Sequence, residues 1–291
     1  MSQKNKQSSK PLFVFFGTPR FAVRVLDALE AQGLTPALVV TASDKPRGRG
    51  LVMTPAPAKV WALEHDIDVV TPATLKDDTF ASELANTNWD VFVVAAYAKL
   101  IPTSILNIPR RGALNVHPSL LPKFRGPSPA VSAILADERS TGVSIMLMDE
   151  HMDHGTIVAQ AKVEVEEDDW PPKGSLFEDL LATEGGNLLA ETLPFWIEGD
   201  ITPEVQDESK ATFTKKFIDT DSLIDLNGDP RQQLLKIRAF DKNPRAHFFT
   251  SDGKRIIITE AVIHEGKLEI SKVIPEGKKE TLYKDFLKAQ G

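Results

Sequence analysis

An open, mostly parallel α/β sheet with helices on both faces, followed by a small β domain, is the fold class this sequence predicts. Three observations predict it. Continuous apolar runs recur through roughly the first half of the chain, stretches of helical spacing separate them, and beyond residue 201 both give way to short alternating runs punctuated by turn dipeptides. A strand covered on both faces reads as an unbroken apolar run, which is why these segments indicate parallel sheet rather than a half-solvated one.

The elements come in order along the chain. "LFVFFG" (12–17) is the first buried strand, and "TPRFAVRVLDALEAQG" (18–33) the first helix, with Pro19 near its start and Gly33 as its stop. "PALVVTA" (36–42), "VFVVAA" (91–96) and "GALNVH" (112–117) are further strands. "PAVSAILADE" (129–138) is a helix and "TGVSIMLMD" (141–149) a strand. A long helical pattern from Gly174 to Gly199 closes the first domain. "DITPEVQDESKATFTKKF" then has the polar, proline-bearing look of a linker. The short runs of "RAHFFTSDGKRIIITEAVIHEGKLEISKVI", with DG and EG turns, make the β domain. The expected division is a disordered tail at 1–10, a Rossmann-like α/β domain at 11–200, a linker at 201–216 and a small OB-like β-barrel domain at 217–291.

Composition narrows the function. With 42% apolar and 26% charged residues the chain is of ordinary globular type. It contains no cysteine, so disulfides, thiolate nucleophiles and zinc–sulfur sites are excluded together. The start "MSQKNKQSSK" has no apolar core behind it and no window approaches a membrane span, so a cytoplasmic location is expected. The net charge of −7 hides an asymmetry: residues 231–291 carry thirteen Lys/Arg against eight Asp/Glu. A basic end on an acidic body fits either a polyanionic partner or a solvated mixed-charge surface.

Four stretches could carry chemistry. "GTPRF" after the first strand lacks both the GxGxxG spacing and the P-loop lysine, and reads as a tight strand-to-helix turn. "SDKPRGRG" (43–50) places Lys45, Arg47 and Arg49 within five positions of a glycine-rich loop at the ligand-binding edge of such a sheet. It suits phosphate contact, against the plainer reading of a solvated loop. "MDEHMDHG" (148–155) gathers acids and histidines in no established metal-ligand spacing, so no metal is expected; one of its carboxylates could instead orient a histidine elsewhere. The fourth, "NVHPSLLPKFRG" (115–126), breaks regular structure with two prolines directly after a strand. Asn115 and His117, two apart, project to one side there. They offer an amide donor and a titratable donor to a single developing oxyanion, with no protein nucleophile, an arrangement suited to direct attack by a substrate amine on an acyl group.

"NVHPSLLPKFRGPSP", preceded by "VVAAYAKLIP" and followed by "TGVSIMLMDEHMDHG", resembles the formyltransferases that use 10-formyltetrahydrofolate. "GTPRFAVRVLDAL", the loop "SDKPRGRG", "TPEVQDES" and "IPEGKKE" resemble the branch of that family acting on methionyl-tRNA. The resemblance spans nearly all of residues 12–288. It implies a catalytic trio at Asn115, His117 and Asp153, and a folate-contacting run at Ser119, Leu120, Leu121 and Pro122, with the pterin also lying against Tyr97, Leu100 and Ile101. It further implies tRNA contact by Arg47, Arg49 and Lys59, 10-formyltetrahydrofolate as cosubstrate, and initiator methionyl-tRNA as partner. No metal, membrane or obligate protein partner is expected, and the chain is expected to act as a monomer. The C-terminal domain reads as shortened by about a strand pair, which predicts an opened barrel with a weakened tRNA grip. The rival expectations are a formyltransferase acting on an amino-sugar nucleotide and a non-catalytic folate- or tRNA-binding relative.

Overall fold

The protein, seen here as a computed structural model, is described over residues 10–48 and 50–289. The tail expected at 1–10 therefore lies outside the described residues except for Lys10. Strand β1 (Phe13–Gly17) is buried at every position, and its alternation sets the two faces of the sheet. Phe13 and Phe15 join one apolar cluster, while Val14 and Phe16 join the other. Helix α1 (Arg20–Ala31) comes next and ends where Gly33 takes a φ of +74°, with the Leu34 N–H reaching back to the Leu29 carbonyl.

β2 (Leu38–Val40) pairs in parallel with β1. The loop after it is not irregular. β3 (Lys45–Arg47) and β4 (Val52–Thr54) form a short antiparallel hairpin that turns near Gly48, where φ is +70°. α2 (Pro57–Glu64), β5 (Asp68–Val70) and α3 (Asp78–Ala85) come after the hairpin. None of the three stands out in the sequence, because eight-residue helices and a three-residue strand carry little periodicity.

β6 (Val91–Ala95) and, after the single-turn α4 (Thr103–Leu106), β7 (Ala113–His117) complete the parallel portion. α5 (Pro129–Leu135), β8 (Thr141–Leu147), β9 (Ile157–Val163) and α6 (Gly174–Glu198) succeed them. The seven strands run in the order β5-β2-β1-β6-β7-β8-β9, with β8 antiparallel to β7. One face is covered by α1, α2 and the later part of α6, and the other by α3 and α4. The Rossmann-like expectation is borne out.

After α7 (Pro230–Ala239), strands β10 (His247–Phe249), β11 (Arg255–His264), β12 (Lys267–Pro275) and β13 (Thr281–Leu282) form a four-stranded antiparallel sheet in sequential order. This is the small barrel-like body expected, with β10 and β13 at its edges. The final helix α8 (Tyr283–Lys288) buries Phe286 and sets the Tyr283 ring edge-on to Phe248 of β10.

The packing resolves into two units. One comprises residues up to Pro122 with Gly142–Ala161 and Leu181–Ala211; the other comprises Lys123–Thr141, Lys162–Leu180 and Thr212 onward. In the second unit Asp137 receives the Trp170 indole N–H at 2.6 Å and a two-pronged contact from Arg231 at 2.7 and 3.0 Å. The Arg231 hydrogen bond, against the opposing effect of burial, holds the Asp137 carboxyl below its ordinary pKa.

The segment read as a linker is hydrogen-bonded along its length. Glu204 exchanges both main-chain hydrogen bonds with Ile157, at 2.7 and 2.8 Å, and the Thr214 N–H donates to the Arg125 carbonyl at 2.7 Å. Most of its side chains are nonetheless exposed, with Gln206 buried among them.

Close packing of α6 on the sheet and on α1 depends on two of its glycines. A Cβ at Gly185 would stand 2.5 Å from Val116 of β7, and one at Gly186 would stand 2.6 Å from the Ala28 Cβ and 3.0 Å from the Val25 carbonyl oxygen. Gly186→Val should therefore cost about 1–3 kcal/mol through overpacking. Urea unfolding checks this, and an unchanged midpoint would show that α1 and α6 are less tightly apposed.

Candidate active site

β7 enters the sheet between β6 and β8 and carries the first two site residues at its C-terminal end. Leu114 and Val116 point into the cluster under α6, so Asn115 and His117 must point to the opposite face. Asn115 lies opposite Val94 on one side and Met146 on the other. Among the described residues its side-chain amide has no hydrogen-bond partner. His117 is buried, 3% exposed, and lies opposite Ser144.

Pro118 ends the strand, and the run after it is held from β8 and β9. The Ser144 hydroxyl donates to the Ser119 carbonyl at 2.6 Å and accepts from the Leu121 N–H at 3.1 Å and the Gln160 amide at 2.8 Å. That uses its one donor and both acceptor positions. Gln160 also donates to the Leu121 carbonyl at 2.9 Å. Ser119 and Leu121 are thereby turned inward and buried.

Asp153 arrives from the loop between β8 and β9. Its Oδ1 lies 3.7 Å from His117 Nδ1, close enough to orient the ring electrostatically. Its backbone adopts φ of +51°, a left-handed conformation that costs a non-glycine residue about 1 kcal/mol or more. Gln206 secures this loop: its amide nitrogen donates to the Asp153 carbonyl at 2.9 Å and the Gly155 carbonyl at 2.7 Å.

A cavity of about 360 Å³ opens beside these groups. Asn115, Asp153, Tyr97, Leu100 and Ile101 all line it, with Met146, Met148 and the 149–152 segment opposite. Five of the residues singled out in the sequence thus meet at one cavity, at the carboxyl ends of parallel strands where such sheets bind ligands. Ser119, Leu120, Leu121 and Pro122 are not among its lining residues; the Ser144 and Gln160 hydrogen bonds hold that run behind it. Lys99 fixes the far wall by donating to the Pro72 and Ala73 carbonyls at 2.5 and 3.0 Å.

The basic loop is a separate feature. Lys59 pairs with Asp44 at 2.8 Å, bracing the base of the hairpin. Arg47 belongs to β3, and Arg49 lies outside the described residues. Asp149, His151 and His154 bring possible ligand atoms within 4.8 Å of one another. His154 Nδ1 already shares a 2.7 Å hydrogen bond with Asp149, which a bound ion would have to displace. Burial opposes the charge on Asp149, but the contacts from His154 and the His151 N–H outweigh it and hold its pKa low. Ser144 and Gln206 lie inside stretches that carry the family resemblance, but nothing there marks either as a site residue, and Gln160 lies in no motif. The available signal was a polar residue at a core position, as Ser144 is within "GVSIML".

Residues 10–191 match the family described as formyl transferase, and the chain belongs to that family. Within it, the chain is 42% identical over 252 residues to methionyl-tRNA formyltransferase of Chloroflexus aurantiacus, covering 86% of this chain and 79% of that one. It is 35% identical over 299 residues to methionyl-tRNA formyltransferase of Methylococcus capsulatus, covering 95% and 96%. Among solved structures, a sugar N-formyltransferase from Shewanella sp FDAARGOS_354 superposes with a TM-score of 0.64 at 18% identity, over 88% of this chain and 99% of that one. The family resemblance carried by the motifs is borne out.

The wall residue Tyr97 gives a direct test of the cavity. Its hydroxyl is buried without a partner among the described residues, and burial pushes its pKa up to about 12. Tyr283, the other of the two tyrosines, is also raised by burial. A pH-jump absorbance titration should find both tyrosines ionising above the ordinary value of about 10, Tyr97 the further. Tyr97→Phe should remove the uppermost transition, whereas a Tyr97 transition near 10 would mean a solvent-filled site.

Proposed function

We propose that this chain transfers the formyl group of 10-formyltetrahydrofolate to the α-amino group of initiator methionyl-tRNA, as part of translation initiation in the cytoplasm. The observation that carries the reading is the meeting of Asn115 and Asp153 at one cavity, with His117 fixed on the same strand and no nucleophilic side chain of the trio's own. Such a site stabilises an acyl transfer in which the acceptor supplies the nucleophile. The free amine attacks the formyl carbon, and the carbonyl oxygen becomes an oxyanion. The Asn115 amide and the His117 ring donate to that oxygen, in a buried setting where such hydrogen bonds are worth more than in water. Asp153 holds the ring and stabilises positive charge on it. Collapse breaks the bond from the formyl carbon to N10, the proton lost by the amine goes to N10, and the products are the formylated aminoacyl-tRNA and tetrahydrofolate. An α-amine with a reference pKa of about 8 supplies enough free base near neutrality.

The relatives named above favour tRNA as acceptor. So does the hairpin bearing Lys45 and Arg47, with Lys59 at its base, as does the basic surplus of the C-terminal domain. We assign residues 217–291 a tRNA contact made through phosphate neutralisation. The cavity beside Tyr97, Leu100 and Ile101 suits the pterin. The superposition with a sugar N-formyltransferase bears on the fold alone.

Labelled formyl offered with charged initiator tRNA and, separately, with an amino-sugar nucleotide tests the acceptor. Transfer to tRNA alone is expected; transfer only to the sugar, or to neither, would overturn the reading. Asn115→Ala should lower turnover roughly 10²–10³-fold, as loss of an oxyanion donor does elsewhere. Near-normal single-turnover rates would remove Asn115 from the mechanism. Asp153→Asn should lower kcat far more than it raises KM for either substrate, because it acts on the reacting centre rather than on binding.

A further inference from the structure

We infer that Gln206 is a positioning residue of the active site, holding Asp153 against His117 from a segment that contributes nothing to the cavity. The inference rests on the catalytic reading of Asp153 given above. Gln206 is 5% exposed, and both hydrogens of its amide are spent on one loop, on the Asp153 and Gly155 carbonyls. Both partners are acceptors, so the amide can present only its nitrogen to them, and its orientation is fixed by chemistry. The loop needs such a tether. Asp153 is left-handed at φ +51°, a state that persists only where its surroundings over-determine it. On the far side, Gly155 lies so close to the Leu147 carbonyl that a Cβ there would overlap it, so the loop is pressed between β8 and the Gln206 amide.

Gln206 is itself anchored. Two residues earlier, Glu204 forms its reciprocal pair with Ile157 at the start of β9. One residue later, the Asp207 carboxylate accepts from the Ser209 N–H and hydroxyl, at 3.1 and 2.6 Å. The side chain therefore stands on backbone fixed on both sides. Asp153 Oδ1 is 3.7 Å from His117 Nδ1, so a displacement of about an ångström decides whether the carboxylate still orients the ring.

Removing the amide should lower kcat roughly 10- to 100-fold, the scale of an ångström's misplacement of a catalytic group. KM for both substrates should stay within about threefold, since Gln206 is not among the residues that line the cavity. The discriminating experiment is a double-mutant cycle in the full chain, with Gln206→Met as the length-preserving apolar change and Gln206→Glu as the change of donor to acceptor. Each variant is assayed well below its own Tm. If Gln206 acts through Asp153, either change slows the wild-type background but leaves Asp153→Asn no slower than it already is. Should Gln206→Met fail to fold, Gln206→Asn, which keeps the amide and shortens its reach, carries the same cycle. Retained kcat in Gln206→Met would reduce Gln206 to packing and overturn the inference. An equal further loss in the Asp153→Asn background would show that it acts elsewhere, and would also overturn it. Full activity of Asp153→Asn alone would remove the catalytic reading of Asp153 and this role with it, a failure distinct from the other two.

Discussion

The register of β7 is the constraint on which the site depends. Leu114 and Val116 are sealed into the core under α6, and each such buried aliphatic side chain contributes roughly 1.5–3 kcal/mol. Period-two alternation then leaves Asn115 and His117 no choice of face. A one-residue slip would put an amide and an imidazole into that apolar cluster and turn two aliphatics toward the site, so the register that folds the sheet is also the register that sets the proposed oxyanion donors, Asn115 and His117, on one face. Gly185 tightens the constraint by letting α6 approach Val116 without an intervening side chain. The strand is useful chemically because it stops: Pro118 ends it just as its side chains reach the carboxyl edge of the sheet.

Beyond that edge the chain is irregular, and buried polar groups make it rigid. Ser144 saturates its hydroxyl on the run after His117, Gln160 adds to it, and Gln206 does for the Asp153 loop what Ser144 does for the other. Each satisfies main-chain groups that lie outside any ladder, where an unpaired buried group costs about 1–3 kcal/mol. The site thus combines one rigid strand with two loops, and the loops borrow their rigidity from side chains on neighbouring segments.

The legible parts of the sequence were those with local signals. The runs that became β1, β6, β7 and β8 were readable because both faces of the sheet are covered, and α1 because of its spacing and Gly33. Asn115 and His117 were legible as a pair two apart beyond a strand, and Asp153 only through the family resemblance. The hairpin β3–β4 was hidden by three-residue strands, one containing Pro46. The apolar run after Pro118 looked like an exposed ligand surface; its Ser119 and Leu121 are buried because Ser144 turns them inward. The supporting hydrogen bonds join residues 23, 39 and 53 positions apart, and pairing over such distances leaves no periodic trace. The polar segment at 201–216 reads as a linker for the same reason: Glu204 and Gln206 bond to Ile157, Asp153 and Gly155, which lie far away in the sequence.

On the proposed mechanism, Asn115 and His117 together bind the formyl oxygen. A crystal structure with a stable folate analogue that carries its formyl group on N10 addresses it directly. The pterin is expected against Tyr97 and Ile101 and the formyl oxygen about 2.7–3.1 Å from both the Asn115 amide nitrogen and a ring nitrogen of His117, the distance an oxyanion donor requires. A formyl group seated out of reach of both side chains, with the pterin in place, would contradict it.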